Sequence, residues 1–192
     1  SRKEGRQGEA LSYLGRARSL VTSLDLEDSN AIRIAGYALD NYGHALRRVG
    51  DLDRAVEVFS ESQVLRRSTT DHYGRAHSLN NLGTVQRERG LLDEAFESHT
   101  EALRLFRDLD DPLNVAVTIS QLGSVAEERE LFDVARQSYL EALEQAKALA
   151  NIDAISINLG KLSRLSLKVG DVEGALQFAS ECLESNEHSG NE

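Results

Sequence analysis

Gly43, Gly83 and Gly123 stand 40 residues apart, and Ser163 takes the fourth place. Ala55, Ala95, Ala135 and Ala175 keep the same spacing. So do Gly50, Gly90 and Gly170, with Glu130 as the odd member. A period held through four copies constrains the fold more tightly than composition does. Each copy is one supersecondary unit, and such units cover their apolar faces only by stacking on neighbours. The stretch 79–102 shows the unit: an apolar stripe at helical spacing, a turn marked by Gly90, and a second stripe.

The register divides the chain. Residues 1–7 are polar and are expected to be a disordered start. Residues 8–30 read as a partial repeat, its second helix alone followed by a loop, with Ala10, Leu11, Leu14, Ala17, Val21 and Leu24 on one stripe. Four repeats follow, at 31–70, 71–110, 111–150 and 151–187, and the polar residues 188–192 are expected to be a disordered tail. The expected helices run over 31–49, 52–67, 71–89, 92–108, 112–129, 132–149, 152–169 and 172–186. Asp28, Ser29 or Asn30 can cap the first of these. Asp111 precedes the single proline, which falls where a helix start accepts it. Asp53, Asp93, Asp133 and Glu173 place an acid in the first turn of each second helix, where the macrodipole favours negative charge.

Composition narrows the class. Hydrophobic residues at 40% and charged residues at 28% fit a folded, soluble chain. The net charge of -10 argues against direct nucleic-acid binding, which needs a basic surface. One cysteine, Cys182, excludes an internal disulfide and a cysteine zinc site, and a cytoplasmic setting is expected. No apolar run is long enough to span a bilayer, and the start lacks a secretory h-region. The start lacks an initiator Met, and an excised or processed piece of a longer protein is expected.

The small columns have a packing reason. Antiparallel helices approach closely only where one presents a small side chain, so Gly43, Gly83 and Gly123 should face the second helix of their hairpin. Leu39, Leu79, Ile119 and Leu159 fill the first helix, with Phe59 and Tyr139 on the second. Ala102 and Ala142, with Ser62 and Cys182 in the other copies, leave room for the next hairpin.

These residues resemble the tetratricopeptide repeat. The likeness rests on Leu79-x-x-Leu82-Gly83 with Ala95, and on Ile119-x-x-Leu122-Gly123 with Ala135 and Tyr139. It covers about residues 31–186. The period is 40 rather than the usual 34, similar to the long repeats of kinesin light chains, spindle-orientation scaffolds and bacterial regulators. The resemblance implies an all-α fold of antiparallel helix hairpins in a right-handed superhelix, an α-solenoid.

It also implies a concave groove lined by the first helices. Mapped residue by residue, that groove should show Tyr37, Asp40, Asn41, His44 and Arg47 in the first repeat, and His77, Asn80, Asn81, Thr84 and Arg87 in the second. The third should give Val117, Ser120, Gln121, Ser124 and Glu127, and the fourth Lys161 and Arg164. Asn41, Asn81 and Gln121 can both donate to and accept from a peptide backbone. Arg47, Arg87 and Arg164 can hold carboxylates, so a ligand of acidic character is expected. A chaperone-type carboxylate clamp is not: Asp40, His44, Val117 and Gln121 stand where it needs Lys, Asn, Lys and Arg.

Enzyme motifs are missing. There is no HExxH, phosphate-binding glycine loop or GxSxG. His99 falls in the aromatic packing column, and His72 and His77 are five apart, a poor spacing for one helix face. No cofactor or metal is implied. The reading is a non-catalytic module that binds a peptide or protein segment in its groove. The alternative is an effector-sensing or autoinhibitory domain of a larger bacterial signalling protein or transcription regulator. Uncovered array ends would suit a homodimer or an intramolecular partner; no membrane partner is expected.

Overall fold

The structure is a computed structural model that describes Ser12, Gly15 and residues 28–189. Its described residues form paired helices: α1 (Ser29–Val49), α2 (Leu52–Leu65), α3 (His72–Glu88), α4 (Leu92–Asp108), α5 (Pro112–Glu128), α6 (Phe132–Ala148), α7 (Ile152–Lys168) and α8 (Val172–Ser189). The fold is all-α, and its helix pairs stack as repeats. Ser12 and Gly15 are helical, and a methyl built on Gly15 would lie 3.8 Å from the Tyr42 Oη of α1. The rest of the partial repeat expected over 8–24, the start 1–7 and residues 190–192 lie outside the described residues.

The chain divides into two compact units, Ser1–Leu105 and Phe106–Glu192. In the first, α1 and α2 close a hairpin around Leu39, Tyr42, Leu46, Val58 and Phe59, and α3 adds Leu82 and Val85 to that cluster. In the second, Tyr139, Leu143 and Ala146 of α6 meet Ile155, Leu159, Leu162 and Leu165 of α7.

The glycine column works as the packing argument expects. A methyl on Gly43 would fall 2.7 Å from Phe59 Cζ, and one on Gly83 2.9 Å from the His99 ring. One on Gly123 would fall 2.8 Å from Tyr139 Cε1. Bare backbone is what lets each ring lie close on its partner helix. In the last hairpin both partners change together: Ser163 replaces the glycine, Ala179 replaces the ring, and Ser163 Oγ donates to the Ala175 carbonyl at 2.9 Å.

Helix starts are capped by side chains. Asp28, Asp51, Asp71, Asp111 and Asn151 each accept from a backbone N–H in the first turn. Two ends depart from expectation: the last helix continues to Ser189, past the expected 186 and into the segment expected to be a disordered tail. Helix α2 stops at Leu65 rather than at 67, and Arg66–Ser68 tighten into a 3-10 turn. Thr69 Oγ1 closes it by donating to the Arg66 carbonyl at 2.9 Å.

Candidate functional site

The first helices of the hairpins carry every residue assigned to the groove, but those residues do not share one role. In the first unit, Asp40 is turned inward. It is 9% exposed and forms an ion pair with Arg66 at 2.9 Å. Ser62 Oγ and Ser78 Oγ donate to it at 2.8 and 2.9 Å. Arg66 itself is fully buried. Its Nε reaches the Asp71 carboxylate at 3.0 Å, and the Tyr37 ring lies 5.3 Å from Cζ. The guanidinium fits because Gly36 and Gly74 flank it; a methyl on either would fall 2.6 Å from Arg66 Nε. Asp40 is therefore held within this chain's own polar network.

The repeat register holds a signal for this cluster. Where Arg66 stands, the next two copies carry Phe106 and Ala146. Gly36 replaces Ala76 and Ala116, and Gly74 replaces Asn114 and Ala154. Three departures in one junction mark a local exception to the apolar scheme.

Arg47 is already engaged. It grips Glu88 of α3 through two hydrogen bonds of 2.8 and 2.5 Å. That contact raises the guanidinium above its ordinary value and lowers the Glu88 carboxyl. His44 lies beside Asn81, with Nε2 3.3 Å from the Asn81 amide nitrogen, and its ring meets Phe59 edge-on. Burial lowers the His44 pKa, Asp40 opposes this, and Arg47 adds to it. The Asn80 side-chain oxygen lies 2.8 Å from His99 Nδ1, Thr84 Oγ1 donates to the Asn80 carbonyl, and the His77 ring packs against Tyr73. Thr84 is buried and Arg87 is half-buried. Asn41 is exposed, and its amide makes no hydrogen bond to the described residues.

The second unit is arranged differently. Glu127 is buried, accepts from Tyr139 Oη at 2.8 Å and pairs with Arg164 at 3.0 Å. Burial alone would raise its carboxyl, but the bonds from Arg164 and Tyr139 outweigh it and hold the carboxyl below its ordinary value. Burial and Glu127 push the Tyr139 phenol far up, so it stays a donor. Ser124 is buried and accepts from Tyr139 at 3.2 Å. Lys161 Nζ spans the two helices, donating to Ser120 O at 3.2 Å, Ser120 Oγ at 2.8 Å and Ser124 Oγ at 3.0 Å. Gln121 is half-buried, and its amide makes no hydrogen bond to the described residues.

Between α5 and α7 lies a cavity of about 130 Å³. Its walls are mostly carbon, from Ala116, Val117, Ala154 and Ile157, and Ser120, Gln121, Asn158 and Lys161 complete it. Val117 is 36% and Ile157 57% exposed, so this apolar surface faces water. Among the described residues no group of three or more His, Cys, Asp or Glu could hold a metal ion, and no helix is long and apolar enough to cross a membrane.

Comparison with known proteins agrees with this architecture. A tetratricopeptide repeat family model matches residues 34–108. No curated protein matches the chain. Among solved structures, BtubC (BKLC) from P. vanneervenii is similar with a TM-score of 0.80 at 17% identity, over 95% of this chain and 74% of that one. The nearly identical TPR-like repeats of the kinesin light chain type from Podosopora anserina give a TM-score of 0.76 at 15% identity, over 97% of this chain and 90% of that one. The Rap conjugation gene regulator of plasmid pLS20, in complex with the Phr* peptide, gives 0.73 at 16% identity, over 96% of this chain and 50% of the regulator. The fold is thus of the tetratricopeptide type.

Proposed function

We propose that this tetratricopeptide-like chain is a non-catalytic module that binds an extended segment of a partner protein along its first-helix faces. The observation that carries the reading is one open amide in each of the two units, at the same repeat position. Asn41 of α1 and Gln121 of α5 stand two periods apart, and neither is bonded to the described residues. An amide offers both a donor and an acceptor, which is what an extended backbone requires. The exposed apolar walls near Gln121 supply surface that a ligand would remove from water. Arg47 and Arg164 are tied to Glu88 and Glu127, so they shape the faces rather than wait for a carboxylate.

A display library of random decapeptides, selected on the protein, tests this. Enriched peptides should lose binding to a variant carrying Asn41→Ala and Gln121→Ala. Peptides that bind both forms equally would place recognition elsewhere. A second reading draws on the Rap regulator, a peptide-bound protein of which this fold spans half. There, the same faces would sense a peptide effector for a larger signalling protein, and binding would change the activity of flanking sequence.

A further inference from the structure

The cavity between α5 and α7 has a direction. Hydrogen bonds tie Ser120 to Asn158, Lys161 to Ser120 and Ser124, and Arg164 to Glu127. These pairs lie 38, 41, 37 and 37 residues apart. The two helices therefore run side by side in the same direction, one repeat out of step. On both, the lining residues nearest the N-terminus are apolar, Ala116 and Val117 on α5 and Ala154 and Ile157 on α7. The last ones are Gln121 and Lys161. Beyond Lys161, α7 continues with Arg164 and Lys168, so positions i, i+3 and i+7 form one basic row. Lys161 donates to neutral serine oxygens, and Lys168 Nζ lies 5.1 Å from the Phe132 ring. Glu127 is bonded to Arg164 and partly offsets it.

Size and charge together narrow the occupant. A dry cavity of about 150 Å³ lined by aliphatic and aromatic side chains takes one benzene. At about 130 Å³ this one has room for a Val, Ile or Leu side chain. A charged side chain would lose its hydration against the carbon walls. We propose that the cavity seats one aliphatic side chain of an extended partner peptide, with Asp or Glu side chains following within two residues and lying along Lys161 and Lys168. Gln121 bonds the peptide backbone between the two elements. The inference rests on the binding reading above and names the chemistry of its ligand. In the first unit, Asp40 and Arg66 are locked inside the polar cluster of α1 and α3.

The decapeptide selection supplies the test. Enriched sequences should share an aliphatic residue followed within two positions by Asp or Glu. Synthetic peptides of that consensus, capped at both ends, are then titrated by fluorescence anisotropy. Replacing the aliphatic residue by Ala should weaken binding about tenfold or more, the scale of one buried aliphatic side chain. On the protein, Ile157→Asn should do the same, and Lys161→Gln should weaken binding and flatten its salt dependence. Ala154→Leu, which fills the cavity, should abolish binding; circular dichroism melts show that each variant is folded. A consensus lacking the aliphatic–acidic pair, but still lost on Asn41→Ala with Gln121→Ala, would overturn this inference and leave the broader reading standing. Full binding to Ile157→Asn and Lys161→Gln would also overturn it. No enrichment at all would sink both.

Discussion

Glu130 sits at φ 61°, a left-handed conformation that L side chains adopt at a cost. Gly50, Gly90 and Gly170 occupy the equivalent turns at φ 85°, 84° and 83°. The turn itself is the same one: Glu130 N–H donates to the Glu127 carbonyl and Leu131 N–H to that of Ala126, as Gly90 and Leu91 do to Arg87 and Gln86. Glu130 is exposed, so its side chain offers little in return. Glu130→Gly should therefore stabilise the chain by about 1 kcal/mol. The check is a higher urea midpoint at unchanged slope. This position was legible in the sequence, because three of four copies write glycine there. The groove residues were legible in the same way, but only as positions. That Arg47 reaches Glu88 and Arg164 reaches Glu127 depends on two helices a repeat apart, and periodicity places such partners without saying which will bond.

The junction of α2 with α3 shows where pattern reading stops. Helix boundaries elsewhere follow from local chemistry, with caps such as Asp111 and Asn151 at the starts and a left-handed residue after the ends of α1, α3, α4, α5, α6 and α7, glycine at Gly50, Gly90 and Gly170. The end of α2 does not. It is set by Arg66, whose partners Asp40, Ser62, Ser78 and Asp71 come from three helices and a turn. No window of sequence contains that environment. Arg66→Ala would leave the Asp40 and Asp71 carboxylates, 12% and 16% exposed, without their cation. A loss of about 3–5 kcal/mol is expected, the scale for breaking a buried pair from one side. A guanidinium chloride titration measures it. A loss under about 1 kcal/mol would mean that water reaches the carboxylates and the cluster is not a buried network.

Several titrating groups of the molecule lean the same way in acid. The folded chain lowers His44 below its ordinary 6.5, so below that pH the unfolded chain takes up a proton that the folded one resists. Glu88, Glu101 and Glu127 lie below their ordinary 4.5 when folded, and the stability they contribute is present above that value and lost as pH falls through their folded values. Stability should be flat between about pH 7 and pH 9 and decline in two stages below that range. His44→Gln should shrink the first stage and leave the second, as read from urea midpoints across the pH range. The buried arginine carries a consequence of another kind, for how such a chain can change its length. Repeat arrays grow and shrink by copying or losing whole units, because one seam is normally much like the next. Loss of residues 71–110 would bring Asn114 to the place of Gly74 and Thr118 to that of Ser78. Arg66 would then meet a side chain where it needs bare backbone. The hairpins on either side of Arg66 are keyed to each other, and copy number is free to drift only at other seams.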